Sequence, residues 1–287
     1  MHSAQVNSTP LAALHQNQQL RLKALDLVKA MYEQARVIQQ HRAATNGALA
    51  GNPFFESKTR VLAREVNNRF KELNRMMEEV PELLTPSVWD DVNNAWQTVH
   101  LQWRQDEVIE NFELHSHLVK VILNYIAEIG NKAECLIETD FHSKALAHYV
   151  FEDLPWFIEL LGQVRALSTS AAVKGVLDEP SEMRLRYLMG QLQKQQIIVK
   201  EQAQQFSQEV IEVTSSLIDA LLCEPKLERL YGIINHDILS GRDIVTSADE
   251  VFTLNTAIID AHYNVMSEGL RLLRLSMDNR IHAWVMR

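Results

Sequence analysis

With 287 residues, the chain has room for two domains of ordinary size or for one long helical body. Nine glycines and seven prolines are too few for an architecture of many hairpins, and 46 % hydrophobic with 23 % charged residues excludes a chain disordered throughout. A formal charge of -9, from 28 Lys and Arg against 37 Asp and Glu, argues against direct binding of nucleic acid, because that affinity comes from concentrated positive charge.

Residues 1–17 are rich in Gln, Asn and Ser without a sustained period, and they are expected to form a flexible leader. From Leu20 to about Ala50 apolar residues recur at three and four, one face of a long helix that stops at Gly51-Asn52-Pro53. A second helix is expected from about Phe54 to Glu79, and Pro81 with Thr85-Pro86 punctuates the entry to a third, starting near Ser87. The third carries Trp89, Trp96 and Trp103 every seven residues with Val92 and Val99 between, a seam for core packing or for a dimer contact. A fourth runs from about Asp106 to Ile129, where Gly130-Asn131 interrupts or ends it.

The second half repeats the style. A helix is expected from about His142 to Val173 with Pro155 inside it, then a very long one from Ser181 to about Leu222. A short helix over 226–239 follows, and Ser247 caps a last one running to the C-terminus. The expected fold is all-α, eight helices in two packed four-helix bundles, the first over 18–138 and the second over 139–287.

One self-similarity links the halves. Arg42-Ala43-Ala44-Thr45-Asn46-Gly47-Ala48 and Arg165-Ala166-Leu167-Ser168-Thr169-Ser170-Ala171 both read R-A-x-[TS]-x-[GS]-A, 123 residues apart, each after an apolar helical run and each before a glycine, Gly51 or Gly175. Met31, Ala35, Ile38, Arg42, Thr45 and Leu49 advance by three or four, so Arg42 falls on the inward stripe, and Leu154, Ile158, Leu161, Arg165, Ser168 and Ala172 place Arg165 likewise. Neither arginine has a carboxylate three or four positions away on its own helix, so its partner must come from elsewhere. One source is a neighbouring helix, through Glu65, Glu72, Asp260 or Glu268. The other is an anion: two guanidinium forks among small residues suit a planar oxyanion such as nitrate, nitrite or a carboxylate, with the Thr45 and Ser168 hydroxyls completing the ring.

The stretch QQHRAATNGALAG, followed in the second half by ELLGQVRALSTSAAVKG, resembles the NIT domain, the nitrate- and nitrite-sensing helical module of bacterial signalling proteins. The resemblance spans roughly residues 20–285 and implies two four-helix bundles with the anion bound between arginines of the two motif helices, here Arg42 and Arg165. Where that family reads close to R-E-R-G, this chain has Gln40-His41-Arg42-Ala43, so His41 either replaces one positive donor or faces solvent. Family members usually join the module to an output segment. None follows the last helix here, so the expectation is a separate output partner or a missing output domain, with a homodimer as the assembly.

Other signals are weak. His115 and His117 before Leu118-Val119-Lys120 resemble a phosphotransfer stretch, but an exposed helical histidine beside Glu110 and Glu113 is the simpler reading. No zinc-protease, C-x-x-C, phosphate-loop or nucleophile-elbow motif occurs, so neither an enzyme, a bound metal nor a cofactor is expected. Two cysteines, Cys135 and Cys223, supply no disulfide framework and suit a reducing compartment. No basic, apolar leader and no uncharged run approaching about 18 residues is present, so the expected place is the cytoplasm, away from membranes. The leading expectation is a sensor of nitrate or nitrite; the alternative is a ligand-free helical scaffold assembled through the tryptophan seam.

Overall fold

The computed structural model describes residues 9–134, 141–209 and 223–285. Among these there is no strand, and they form nine α-helices. They are α1 (Thr9–Leu49), α2 (Pro53–Glu78), α3 (Pro86–Gln102), α4 (Val108–Glu134), α5 (Phe141–His148), α6 (Leu154–Lys174), α7 (Glu179–Glu209), α8 (Glu224–Ile233) and α9 (Ala248–Val285). A π-helical turn over Tyr149–Asp153 joins α5 to α6 without a break, so the described helices make eight rods, as the apolar periods require. No described helix is long and apolar enough to cross a membrane.

Local chemistry sets the ends. Asn52 accepts from the Phe54 N–H ahead of Pro53, Asp178 from that of Ser181, and Ser247 from that of Glu250. Gly175, at φ 71, closes α6 in the left-handed conformation that glycine adopts without strain. Two boundaries differ from the sequence expectation. α1 begins at Thr9, so 9–17 belong to a helix, while residues 1–8 of the expected leader lie outside the described residues. α4 passes through Gly130, because a Cβ there would stand 2.8 Å from the Phe151 ring; the glycine serves a close approach and not a stop. The expected end of α7 near Leu222 also lies outside the described residues.

α1 packs against α2 and α4, and α3 against α4, while α6 packs against α7 and α9; the two groups meet along α1 and α6. Both meeting helices are buried almost all round, α1 from Val37 to Gly47 and α6 from Phe157 to Ala171, so polar side chains on them must find partners in the interior. Trp89, Trp96 and Trp103 are all buried within this chain: Trp89 packs on Phe70 and the Trp96 indole donates to Asn67 Oδ1 at 2.8 Å. The seam therefore builds the core, the first of its two readings, and is not left exposed for the dimer contact that was the second.

Candidate functional site

α1 and α6 lie side by side and parallel. The Tyr32 hydroxyl donates to the Val150 carbonyl, Gln39 Nε2 donates to Glu159, and Arg42 lies over Gly162, at sequence separations of 118 to 120. That register nearly matches the 123-residue offset of the repeat, so the two copies of the motif stand next to each other at about one level. Arg42 is 0 % exposed and Arg165 is 1 % exposed.

The two arginines have different surroundings. Arg42 Nη1 donates to Glu159 Oε1 at 2.5 Å and to Ser116 Oγ at 2.9 Å, and its Nη2 reaches Glu159 Oε2 at 3.2 Å. Glu159, itself 0 % exposed, also accepts from Gln163 Nε2 and Gln39 Nε2, both at 2.7 Å. Four donor contacts thus saturate one carboxylate. The expectation of two arginines in a pocket free of protein acids is corrected here. The acid comes from the opposite motif helix, six positions before Arg165, and is none of Glu65, Glu72, Asp260 or Glu268.

Arg165 has no carboxylate within ion-pair distance among the described residues. Its Nη1 donates to Thr256 Oγ1 of α9 at 3.1 Å, its fork lies 5.3 Å from the centre of the Phe252 ring, and its buried Nε–H meets no acceptor. Burial and the charge of Arg42 push its pKa down to about 10, so it remains a cation at neutral pH. Phe252 also carries the half-buried Lys58 of α2, 4.2 Å above the ring, and Lys58 is pushed down by its own burial and then by Arg165. Asp260, the nearest acid on α9, is bound by Arg36 at 2.8 Å.

The remaining expected ligands are placed beside this centre with their polar atoms engaged. Thr45 Oγ1 donates to the His41 and Arg42 carbonyls, and Ser168 Oγ to those of Val164 and Arg165, each in its own helix. His115 Nδ1 lies 2.8 Å from the Asn111 carbonyl, which only accepts, so His115 Nε2 is a lone pair and receives the Nδ1–H of His41 at 2.8 Å. The outer His41 nitrogen is then a buried acceptor without a partner, and burial holds both rings well below their ordinary pKa, so His41 offers no positive donor. His115 is buried, correcting its reading as an exposed histidine; His117 is the exposed one.

Sequence reasoning missed two neighbours. Asn46 keeps both amide atoms buried without partners, and Thr169 keeps its hydroxyl so. They occupy equivalent positions of the repeat, each one residue past the hydroxyl that was expected. The 3,4 spacing of the facing positions Gln39 and Arg42 continues to Asn46, and that of Glu159 and Gly162 to Thr169, so both stand on the faces the two helices turn toward each other.

The polar centre is linked to the last helix. The Tyr263 hydroxyl donates to Gln39 Oε1 at 3.3 Å, Arg36 holds Asp260, and Arg165 holds Thr256, so three contacts run from the motif helices to α9.

No family model matches the chain, and no curated protein matches it significantly. Among solved structures it is similar to that of the NasR transcription antiterminator, with a TM-score of 0.70 and 15 % identity over 94 % of this chain and 72 % of that one. At that identity the likeness establishes the shared fold.

Proposed function

We propose that this protein is a cytoplasmic sensor that binds a small oxyanion, nitrate or nitrite, between α1 and α6 and passes the signal on by rearranging helices. The observation that carries the reading is Arg165, a buried guanidinium with an unpartnered Nε–H and, among the described residues, no carboxylate of its own. Asn46 and Thr169 supply unsatisfied polar atoms on the facing stripes, and Arg42 adds its own unpartnered Nε–H. Such groups are costly to bury unless something meets them. A planar anion with three acceptor oxygens would. The resemblance of the motif helices to the NIT domain supports nitrate or nitrite as that anion, and the fold shared with a transcription antiterminator supports a regulator over an enzyme.

The site is closed, so an anion reaches it only as helices part; the half-buried Lys58 and Phe252 mark the side where the centre approaches solvent. Binding replaces an unmet charge with hydrogen bonds, and the contacts from α9 to both motif helices carry the change toward the C-terminal end, to a homodimer partner or a separate output protein. Melting in nitrate, nitrite, formate and chloride at equal ionic strength tests this: a selective rise for nitrate or nitrite that Arg165→Gln removes is expected. A uniform salt effect would instead favour the scaffold reading, in which Arg42 with Glu159 is a structural ion pair and nothing more.

A further inference from the structure

Arg42, Arg165 and Glu159 are the only formally charged side chains buried among the described residues. Arg42 and Glu159 cancel, so the interior retains one uncompensated positive charge. We propose that Glu159 sets the valence of the site: by neutralising Arg42 it leaves a seat beside Arg165 that takes one singly charged anion and rejects dianions. This inference rests on the anion-sensing reading above.

Two features support an anion that joins the centre without displacing Glu159. The carboxylate is held by both nitrogens of the Arg42 fork, by Gln39 and by Gln163. Expelling it would strand those donors and leave a buried carboxylate unpaired. The second feature is the charge balance around Arg165 among the described residues. α1 contributes Arg42, already neutralised by Glu159 of α6; α9 contributes Asp260, already bound by Arg36; α2 contributes Lys58, half-buried and open to screening by solvent. One anionic charge completes neutrality. A second would be buried without a counter-charge, and the desolvation cost of an ion rises as the square of its charge.

Calorimetric titration of the full chain with sodium nitrate and with sodium sulfate, at constant ionic strength, tests the inference. The wild type is expected to take one nitrate per chain and no sulfate. Glu159→Gln keeps the shape and removes one negative charge, and it is expected to shift the sulfate-to-nitrate affinity ratio upward by at least about tenfold, or to admit a second nitrate. A purely structural Glu159 would weaken both anions alike. The double variant Arg42→Gln with Glu159→Gln deletes a neutral pair and is expected to keep one nitrate per chain and the exclusion of sulfate; it decides the matter where the single variant does not fold. Sulfate bound by the wild type as tightly as nitrate overturns the proposal, as does an unchanged preference in Glu159→Gln or loss of nitrate from a folded double variant. Absence of any nitrate binding to the wild type overturns the sensor reading itself, and the valence proposal falls with it.

Discussion

Glu159 of α6 and Arg42 of α1, 117 residues apart in sequence, meet in the interior with both carboxylate oxygens against both terminal nitrogens of the guanidinium, at 2.5 and 3.2 Å. The contact joins the two motif helices to each other and leaves the second motif arginine, Arg165, without an acid among the described residues. Position by position the repeat is symmetric, yet its electrostatics are not. One arginine is held by an ion pair, and the other carries a charge for which the described residues supply no counter-ion.

That asymmetry gives opposite signs to two similar substitutions. Arg42→Met leaves Glu159 buried and unpaired and is expected to cost about 3–5 kcal/mol of stability. Arg42→Met combined with Glu159→Met removes both charges and should recover most of that loss. Urea unfolding of the two variants checks this; a double variant as unstable as the single one would show that the ion pair is not the source.

Arg165→Met should act in the reverse direction when no anion is present. The folded pKa near 10 lies below the ordinary 12.5, so the unfolded chain holds the proton more tightly and the folded state bears the full penalty at neutral pH. Removing the charge relieves up to about 3 kcal/mol. The same variant should lose the stabilisation by nitrate, about 2.7 kcal/mol at 100 times the dissociation constant for the wild type. Thermal melts with and without nitrate read both effects.

Polar side chains one residue apart should separate cleanly in anion response. Thr45→Ala and Ser168→Ala remove groups that donate to carbonyls of their own helix, so the nitrate-induced shift should survive both. Asn46→Leu and Thr169→Val remove unsatisfied groups on the facing stripes, and each should weaken nitrate binding by about 1.5–3 kcal/mol, the range for hydrogen bonds to charged groups. Titration calorimetry on the four variants tests the contrast, and an equal loss in all of them would refute it.

Much of the fold was legible because the apolar period of each rod, its prolines and its caps agree with one another. The inward position of both arginines was legible for the same reason. The partner of Arg42 was not, because a search three and four positions along the same helix cannot see a residue supplied by a neighbour packed in parallel. Thr45 and Ser168 share the inward stripes of the arginines, but Ser and Thr inside helices commonly turn back to the carbonyl four residues earlier, and both do so here. The burial of His115 was readable in principle: Phe112, His115, Val119, Ile122 and Ile126 form one stripe, and all are buried.

Acid should destabilise the protein through its paired histidines. Burial pushes His115 down to about 3 and His41 well below 6.5, so below pH 6.5 the unfolded chain takes up protons that the folded one refuses. The stability is fully present above 6.5 and is lost as pH falls, at about 1.4 kcal/mol per pH unit for each ring. His262, also buried and depressed, acts in the same direction. Urea unfolding between pH 7 and 5 should show a steep dependence that His41→Phe with His115→Leu reduces, leaving the part due to His262 and His100.

Gly162 is the point where the Arg42 fork lies against the α6 backbone. A Cβ there would stand 2.9 Å from Arg42 Nη2 and 3.5 Å from the Gln39 amide carbon, closer to the nitrogen than side chains tolerate. A free arginine would swing aside at little cost. This one is fixed by Glu159 and Ser116, so Gly162→Ala must either move the ion pair or displace the helix, at about 1–3 kcal/mol. In the Arg42→Met background the fork is gone and the added methyl meets only a thin, flexible chain, so the same substitution should cost less. A double-mutant cycle by urea unfolding measures the difference, and a coupling of about 1 kcal/mol or more between positions 42 and 162 is expected. Strict additivity would mean that the methyl finds room without touching the guanidinium, and the close crossing of α1 over α6 would then not depend on glycine.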